Sequence, residues 1–146
     1  MAVSSGSIGY GVSLAQGAYP TPTTYTALAE LLEVDQPKRK VKAVDITNNS
    51  SPARTMEKIP GLVDSGEITG KLVYTPAGKA AVESAIGVLA SWKIQMPLTG
   101  AQTTLGDAFT FAGFVSADGG ETPLDDKIVI DVTIEITGPV TFTAGS

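Results

Sequence analysis

The alternation of hydrophobic and polar positions is the strongest structural signal in this sequence. It is clearest between Lys127 and Thr137, where isoleucine or valine occupies every second position. Because successive side chains of a β-strand point to opposite faces, this segment predicts a long strand with one buried face. Gly138 and Pro139 follow the segment and are expected to end the strand. The expected buried residues are Ile128, Ile130, Val132, Ile134 and Ile136.

Shorter stretches of the same alternation predict further strands at residues 41–47, 67–74, 92–96 and 109–115. Residues 24–34 fit either a strand or a short helix, because their leucines are also spaced for a helical face. The short connections between these segments favour antiparallel pairing.

One amphipathic helix is predicted after Thr75, which suits an N-cap and is followed by Pro76 at the first helical position. Its apolar face would carry Val82, Ala85, Ile86 and Leu89. The elements together predict an α+β fold: a mostly antiparallel β-sandwich or half-barrel of about six or seven strands with one packed helix. The length of 146 residues is that of a single domain.

In three segments the hydrophobic residues follow neither the alternation of a strand nor the spacing of a helix. Residues 1–18 are rich in glycine and serine at their start and are expected to form an N-terminal arm, which is either mobile or an edge strand at residues 8–14. Residues 48–66 are expected to form a long loop without regular structure, and such loops are usually functional. Residues 138–146 are expected to form a C-terminal tail. No stretch is apolar enough to be a signal peptide or a membrane span.

The composition removes most catalytic chemistry. The chain contains no Cys and no His, so it lacks thiolate nucleophiles, the commonest general base and the commonest zinc ligand. The remaining carboxylates are poorly placed for catalysis or for metal binding: Asp131 and Glu135 would lie about 13 Å apart along one strand. Asp118–Glu121 lacks the spacing of a calcium loop and is interpreted as a hairpin turn. We therefore expect no enzyme, no cofactor and no metal.

Charge is unevenly distributed along the chain. The net charge is −5, which argues against a dedicated nucleic-acid binder. Four bases nevertheless lie within residues 38–42, and acidic residues flank them. This basic run fits a solvated strand end or an inter-subunit salt bridge better than a phosphate-binding patch.

The segment from Ser51 to Pro76 resembles the central part of the tail tube (major tail) proteins of long-tailed bacteriophages. The most specific match is the Pro60-Gly-Leu-Val-Asp-Ser-Gly-Glu67 stretch, preceded by Ser-Pro and Glu and followed by a strand and a helix. The order of elements downstream also matches, so that the resemblance covers residues 20–143.

This resemblance implies a virion protein that assembles in the host cytoplasm into stacked hexameric rings, which form a hollow tube for the passage of DNA. It implies tape measure and tail-end proteins as further partners, and no membrane. The long loop would reach neighbouring subunits through Ser51, Pro52, Arg54, Glu57, Pro60, Gly61, Asp64, Gly66 and Glu67. Charge partners on another subunit would be Lys38, Arg39 and Lys40.

Acidic walls would let DNA pass without binding, because basic walls bind phosphate by releasing counterions. The candidate bore-lining acids are Asp118, Glu121, Asp125, Asp126, Asp131 and Glu135. Alternatives remain open at this point. They are the tube of a secretion or contractile machine, a head–tail joining subunit, and a small carboxylate enzyme or sugar-binding sandwich.

Overall fold

The computed structural model describes residues 11–28, 31–98 and 102–146. Most of the predicted N-terminal arm (1–18) lies outside these residues. Its described part contains the strand Ser13–Gly17, which pairs with a strand on each side and is therefore not an edge strand. The described residues form nine β-strands and one α-helix: β1 Ser13–Gly17, β2 Thr26–Ala27, β3 Leu31–Val34, β4 Lys40–Asp45, β5 Lys58–Asp64, β6 Glu67–Val73, α1 Pro76–Ala85, β7 Ala90–Gln95, β8 Ala108–Glu121 and β9 Val129–Thr143.

Seven strands form one sheet in the order β2-β1-β7-β8-β9-β6-β3, and every pairing between these strands is antiparallel. The strands β4 and β5 pair only with each other and form a separate hairpin. The prediction of an α+β fold dominated by antiparallel strands is confirmed. Within the described part of residues 24–34, two strands, β2 and β3, are present and no helix is.

The hydrophobic core lies between the inner face of the sheet and the helix. On β9, Ile130, Val132, Ile134 and Ile136 are all buried, as their spacing predicts, whereas Ile128 precedes the strand and is exposed. The sheet curls, so that Leu14 on β1 and Val34 on β3 both lie beside Gly70 on β6. This curvature closes the sheet around its own inner face, as expected for a half-barrel.

The helix α1 begins where the sequence predicts. The Thr75 side chain accepts a hydrogen bond of 3.0 Å from the backbone N–H of Gly78, and Pro76 occupies the first helical position. Val82 and Ala85 are buried against the core. The prediction that Ile86 and Leu89 share this face is wrong, because the helix ends at Ala85 and Gly87 then adopts a positive φ of 70°.

The N-cap of α1 gives a first prediction. Thr75→Ala removes the acceptor for the Gly78 N–H and should lower the free energy of unfolding by about 1 kcal/mol. Thr75→Ser keeps the hydroxyl and is the matched control, for which we expect little change. Urea denaturation followed by circular dichroism measures both. Equal losses in the two variants would contradict a capping role.

Three expectations about irregular segments are wrong. Gly138 and Pro139 do not end the last strand, because β9 continues to Thr143 through a shift in its register with β8. Gly138 has a positive φ of 78° at this bulge, a conformation that suits glycine. The predicted tail therefore contains strand up to Thr143. Asp118–Glu121 is part of β8, paired with β9, and the turn follows it.

The third correction concerns residues 48–66. They contain a short 3-10 helix at Pro52–Arg54 and the whole of β5, so the expected irregular loop is the outer part of a β-hairpin. Periodicity fails there because the hairpin has no buried face. No helix in the described part of the chain is long and apolar enough to cross a membrane.

Candidate assembly surface

The hairpin β4–β5 stands apart from the core. We define the arm as residues 38–64, which comprise the hairpin and the two basic residues that lead into it. Every residue of β4 and of β5 is exposed. A two-stranded hairpin is at best marginally stable alone, and three or more strands or a packed helix normally support it. The arm therefore lacks the packing that stabilises the rest of the chain.

The exposed surface of the arm is unusually apolar. Leu62 is 87% exposed and Met56 is 62% exposed, and no strand or helix covers them. Several large apolar side chains exposed within one short segment indicate a surface that contacts a partner. The other exposed large apolar side chains of the arm are Val41, Val44, Ile46, Ile59 and Val63.

The tip of the arm is ordered by its own hydrogen bonds. Ser51 Oγ donates to Glu57 Oε2 over 3.0 Å and accepts from the backbone N–H of Asn48 over 2.9 Å. The backbone N–H of Glu57 donates to Thr47 Oγ1 over 2.8 Å. These bonds tie the two sides of the tip together across residues 47–57.

The tip presents Arg54 in an uncommon backbone conformation. Ala53 and Arg54 have φ values of 51° and 56°, in the left-handed region that costs a non-glycine residue some energy. Arg54 is exposed there. At the end of β4, hydrogen bonds from Thr47 lower the pKa of Asp45. The Thr47 side chain has the larger effect and the Thr47 backbone N–H the smaller one. The Asp45 carboxylate therefore stays ionised to a lower pH than usual.

The base of the arm is a tight junction with the sheet. Asp64 Oδ1 accepts a hydrogen bond of 2.9 Å from the backbone N–H of Gly66. Gly66 has a φ of 72°, and a Cβ there would lie only 2.9 Å from the Lys38 carbonyl oxygen. Ser65 Oγ donates to the Gly138 carbonyl over 2.7 Å. Only glycine suits residue 66, because the two ends of the arm almost touch there.

The structure thus distributes the predicted loop residues along one arm and its junction. Ser51, Pro52, Arg54 and Glu57 lie in the tip, and Pro60 and Gly61 lie within β5. The remaining predicted residues lie at the base: Lys38, Arg39, Lys40, Asp64, Gly66 and Glu67. The sequence analysis missed the exposed apolar residues of the arm. They could have been found from the sequence, because Ile59, Leu62 and Val63 lie in a segment whose hydrophobic residues follow neither a strand nor a helix pattern.

The bases of the arm make no ion pair with any residue that the structure describes. Among the described residues, ion pairs join only Lys71 to Glu33, Lys79 to Glu83 and Asp118, and Lys127 to Asp126. Lys40 lies opposite Asp64 and Lys58 lies opposite Asp45 in the hairpin register, whereas Lys42 and Arg54 have no such acidic neighbour across the hairpin.

The outer face of the sheet, opposite the core, carries a second group of charges. Glu67 on β6 lies directly opposite Glu135 on β9. Like charges in this position repel each other. Asp131 lies opposite Lys71, and its buried Oδ1 has no hydrogen-bond partner among the described residues. The predicted bore-lining acids Asp131 and Glu135 therefore do share one face.

The other predicted bore-lining acids lie at the end of the β8–β9 hairpin. We define the acidic turn as residues 118–127, which comprise the last four residues of β8 and the turn that follows them. Asp118 accepts from Lys79 Nζ over 2.7 Å, which raises the pKa of Lys79 together with the weaker contribution of Glu83. Glu121 and Asp125 are exposed and have no ion pair in the described part of the chain. Leu124, between them, is fully exposed.

The described residues include no group of three or more acidic, histidine or cysteine side chains that could hold a metal ion. The main surface depressions are lined mostly by uncharged residues. One of them lies between α1 and β1 and is lined by Gln16, Thr24, Leu28, Ala77 and Ala81, without a carboxylate.

No protein-family model and no curated protein sequence matches this chain. Its fold is nevertheless similar to solved structures of low sequence identity. A chain of the native gene transfer agent virion aligns with a TM-score of 0.71 and 13% identity, covering 95% of this chain and 100% of that chain. A chain of the sheath/tube terminator of the PVC extracellular contractile injection system aligns with a TM-score of 0.71 and 15% identity, covering 98% and 100%.

A third similar structure is that of the SPP1 tail tube. It aligns with a TM-score of 0.63 and 11% identity, covering 92% of this chain and 77% of that chain. At these identities the likeness establishes a shared fold. The chain therefore has the fold seen in phage-type tail tubes and in contractile injection systems, as the resemblance of residues 20–143 predicts.

Proposed function

We propose that this chain is a structural subunit that assembles with copies of itself into the hollow tube of a phage-like tail, and that it is not an enzyme. The observation that carries this proposal is the arm, whose apolar side chains are exposed throughout. Burying about 25 cal/mol per Å² of apolar surface against a neighbouring subunit would supply the driving force for assembly. The shared fold with the SPP1 tail tube supports the same function.

We further propose that subunits form hexameric rings and that these rings stack. A symmetric ring would cover the edge strands β2 and β3, which pair on one side only in the isolated chain. The outer face with Glu67, Asp131 and Glu135 is the surface we assign to the bore. Its acidic residues would repel the phosphates of passing DNA instead of binding them.

In this proposal the tube belongs to a virion tail that is assembled in the host cytoplasm. Its constant partners are further copies of the chain. Tape measure and tail-end proteins are proposed as the partners that set the length of the tube and close its end. DNA is a transient passenger that makes no specific contact, and no membrane is involved.

A second candidate is a tube component of a contractile injection system. It rests on the likeness to the PVC terminator chain, whose TM-score of 0.71 and coverage of 100% equal those of the gene transfer agent virion chain. Both candidates are structural tube subunits, and they differ in what surrounds the tube. Co-purification of a sheath protein with the tube from producing cells would favour the injection system.

Negative-stain electron microscopy of the purified chain tests the proposal. We expect rings or tubes with a central channel at high protein concentration, and analytical ultracentrifugation should show the same material sedimenting as a polymer. A chain that remains a monomer at every concentration, and that also fails to assemble when mixed with tail components from producing cells, would overturn the proposal.

A further inference from the structure

The chain separates its charges between the arm and the rest of the molecule. The arm, residues 38–64, contains six bases and three acids, which gives a net charge of +3. The remaining residues contain four bases and twelve acids, a net charge of −8, and the two parts sum to the chain's −5. Such a separation creates one positive and one negative surface on the same subunit, and surfaces of this kind steer association.

A second group of acidic residues lies far from the arm. The acidic turn, residues 118–127, contains four acids and one base, a net charge of −3. The arm joins β6 at Glu67, whereas the acidic turn lies next to the other end of β6, where the Tyr74 N–H donates to the Ile128 carbonyl over 2.8 Å. Six residues of strand separate the two ends, which corresponds to about 20 Å.

The opposite charges do not meet within one chain. No described ion pair joins a residue of the arm to the acidic turn. The acidic turn keeps Glu121 and Asp125 unpaired in the described part of the chain, and the arm keeps Lys42 and Arg54 unpaired. Both surfaces also carry a highly exposed leucine, Leu62 in the arm and Leu124 in the turn. Each surface thus offers the charge that the other lacks, together with an apolar contact.

We propose that the arm of one subunit docks onto the acidic turn of a second copy of this chain. The proposal rests on the self-assembly proposed above and specifies the contact that makes it directional. The two surfaces differ and lie at different ends of the same strand, so the contact is heterologous, head to tail. A heterologous contact that does not close on itself propagates without limit, which is what a stacked tube requires. The assembly is therefore polar, with free arms at one end and free acidic turns at the other.

Charge reversal on either surface tests this contact. The arm variant is Lys42→Glu with Arg54→Glu, and the turn variant is Glu121→Lys with Asp125→Lys. Each variant alone brings like charges together, and we expect the critical concentration for assembly to rise at least about tenfold. The variant with all four substitutions restores opposite charges at the contact, and we expect it to assemble near the wild-type concentration. Electron microscopy and sedimentation measure assembly, and circular dichroism verifies that each variant is folded.

The outcomes separate this inference from the proposed function. If the wild-type chain assembles and both reversed variants assemble equally well, the contact is wrong but the tube proposal stands. If the variant with all four substitutions is folded but does not assemble, the proposed pairing of these two surfaces is wrong. Reversal at Glu67 and Glu135 is the matched comparison. Loss of assembly only in that variant, with the turn variant unaffected, would place the receptor of the arm on the outer face and overturn the assignment to the turn.

Discussion

A chain in which a short glycine–serine linker replaces residues 40–64 is expected to fold and to remain a monomer. The junction permits this deletion, because a Cβ on Gly66 would lie 2.9 Å from the Lys38 carbonyl oxygen, so a few linker residues close the gap. Every strand residue removed is exposed, and the core residues all lie elsewhere. The melting temperature should therefore change by less than about 5 °C, which corresponds to about 1 kcal/mol for a domain of this size.

Assembly should respond very differently to the same deletion. The deletion removes seven exposed large apolar side chains and four of the six bases of the arm together. We expect no rings or tubes at concentrations about a hundredfold above the wild-type threshold, because a loss of about 2.7 kcal/mol per contact already corresponds to that factor. Removing only residues 51–64 is a poorer test, since β4 would then lose its partner strand. Tubes formed by the correctly folded deletion variant would show that the arm is dispensable for assembly.

Trp92→Ala is expected to have the largest effect on folding. Trp92 is 1% exposed, lies within the core and donates its indole N–H to the Gly113 carbonyl over 3.1 Å. Truncation leaves a large cavity and a carbonyl without its donor, so we expect a loss of about 3–5 kcal/mol. This loss is comparable to the total stability of many domains, about 5–15 kcal/mol. Urea denaturation followed by far-ultraviolet circular dichroism measures it, because the variant lacks the only tryptophan.

Two controls make this measurement specific. Trp92→Phe keeps an aromatic ring in the core but loses the N–H donor, and it should fall between the wild type and Trp92→Ala. Leu62→Ala removes a large apolar side chain that is 87% exposed, and it should leave the free energy of unfolding unchanged while weakening assembly. A Trp92→Ala variant within about 1 kcal/mol of the wild type would contradict the position of Trp92 in the core.

The elements with one buried face were predictable from the sequence. Alternation identified β9 and its buried isoleucines, because burial of one face selects apolar residues at every second position. The N-cap of α1 was equally predictable, since Thr75 and Pro76 each have a specific physical role there. In both cases local sequence and tertiary packing favour the same structure.

The elements without a buried face were not predictable in this way. The strand β5 contains Pro60 and Gly61, which normally disfavour strands, and its side chains are exposed on both faces, so no period marks it. The passage of β9 through Gly138 and Pro139 depends on pairing with β8, a contact between distant residues. The candidate assembly residues were found through the family resemblance, whereas the apolar surface that surrounds them emerged only from the structure.

The hydrogen bonds within the tip of the arm have a consequence for the rate of assembly. Because Ser51, Glu57 and Thr47 already hold the tip in one conformation, a docking subunit does not have to order this segment as it binds. Ordering a flexible loop costs free energy and slows association, and the hydrogen bonds within the tip reduce both penalties for this segment. Elongation of a tube from such subunits should therefore proceed in a single kinetic phase, at a rate set by encounter and charge rather than by folding.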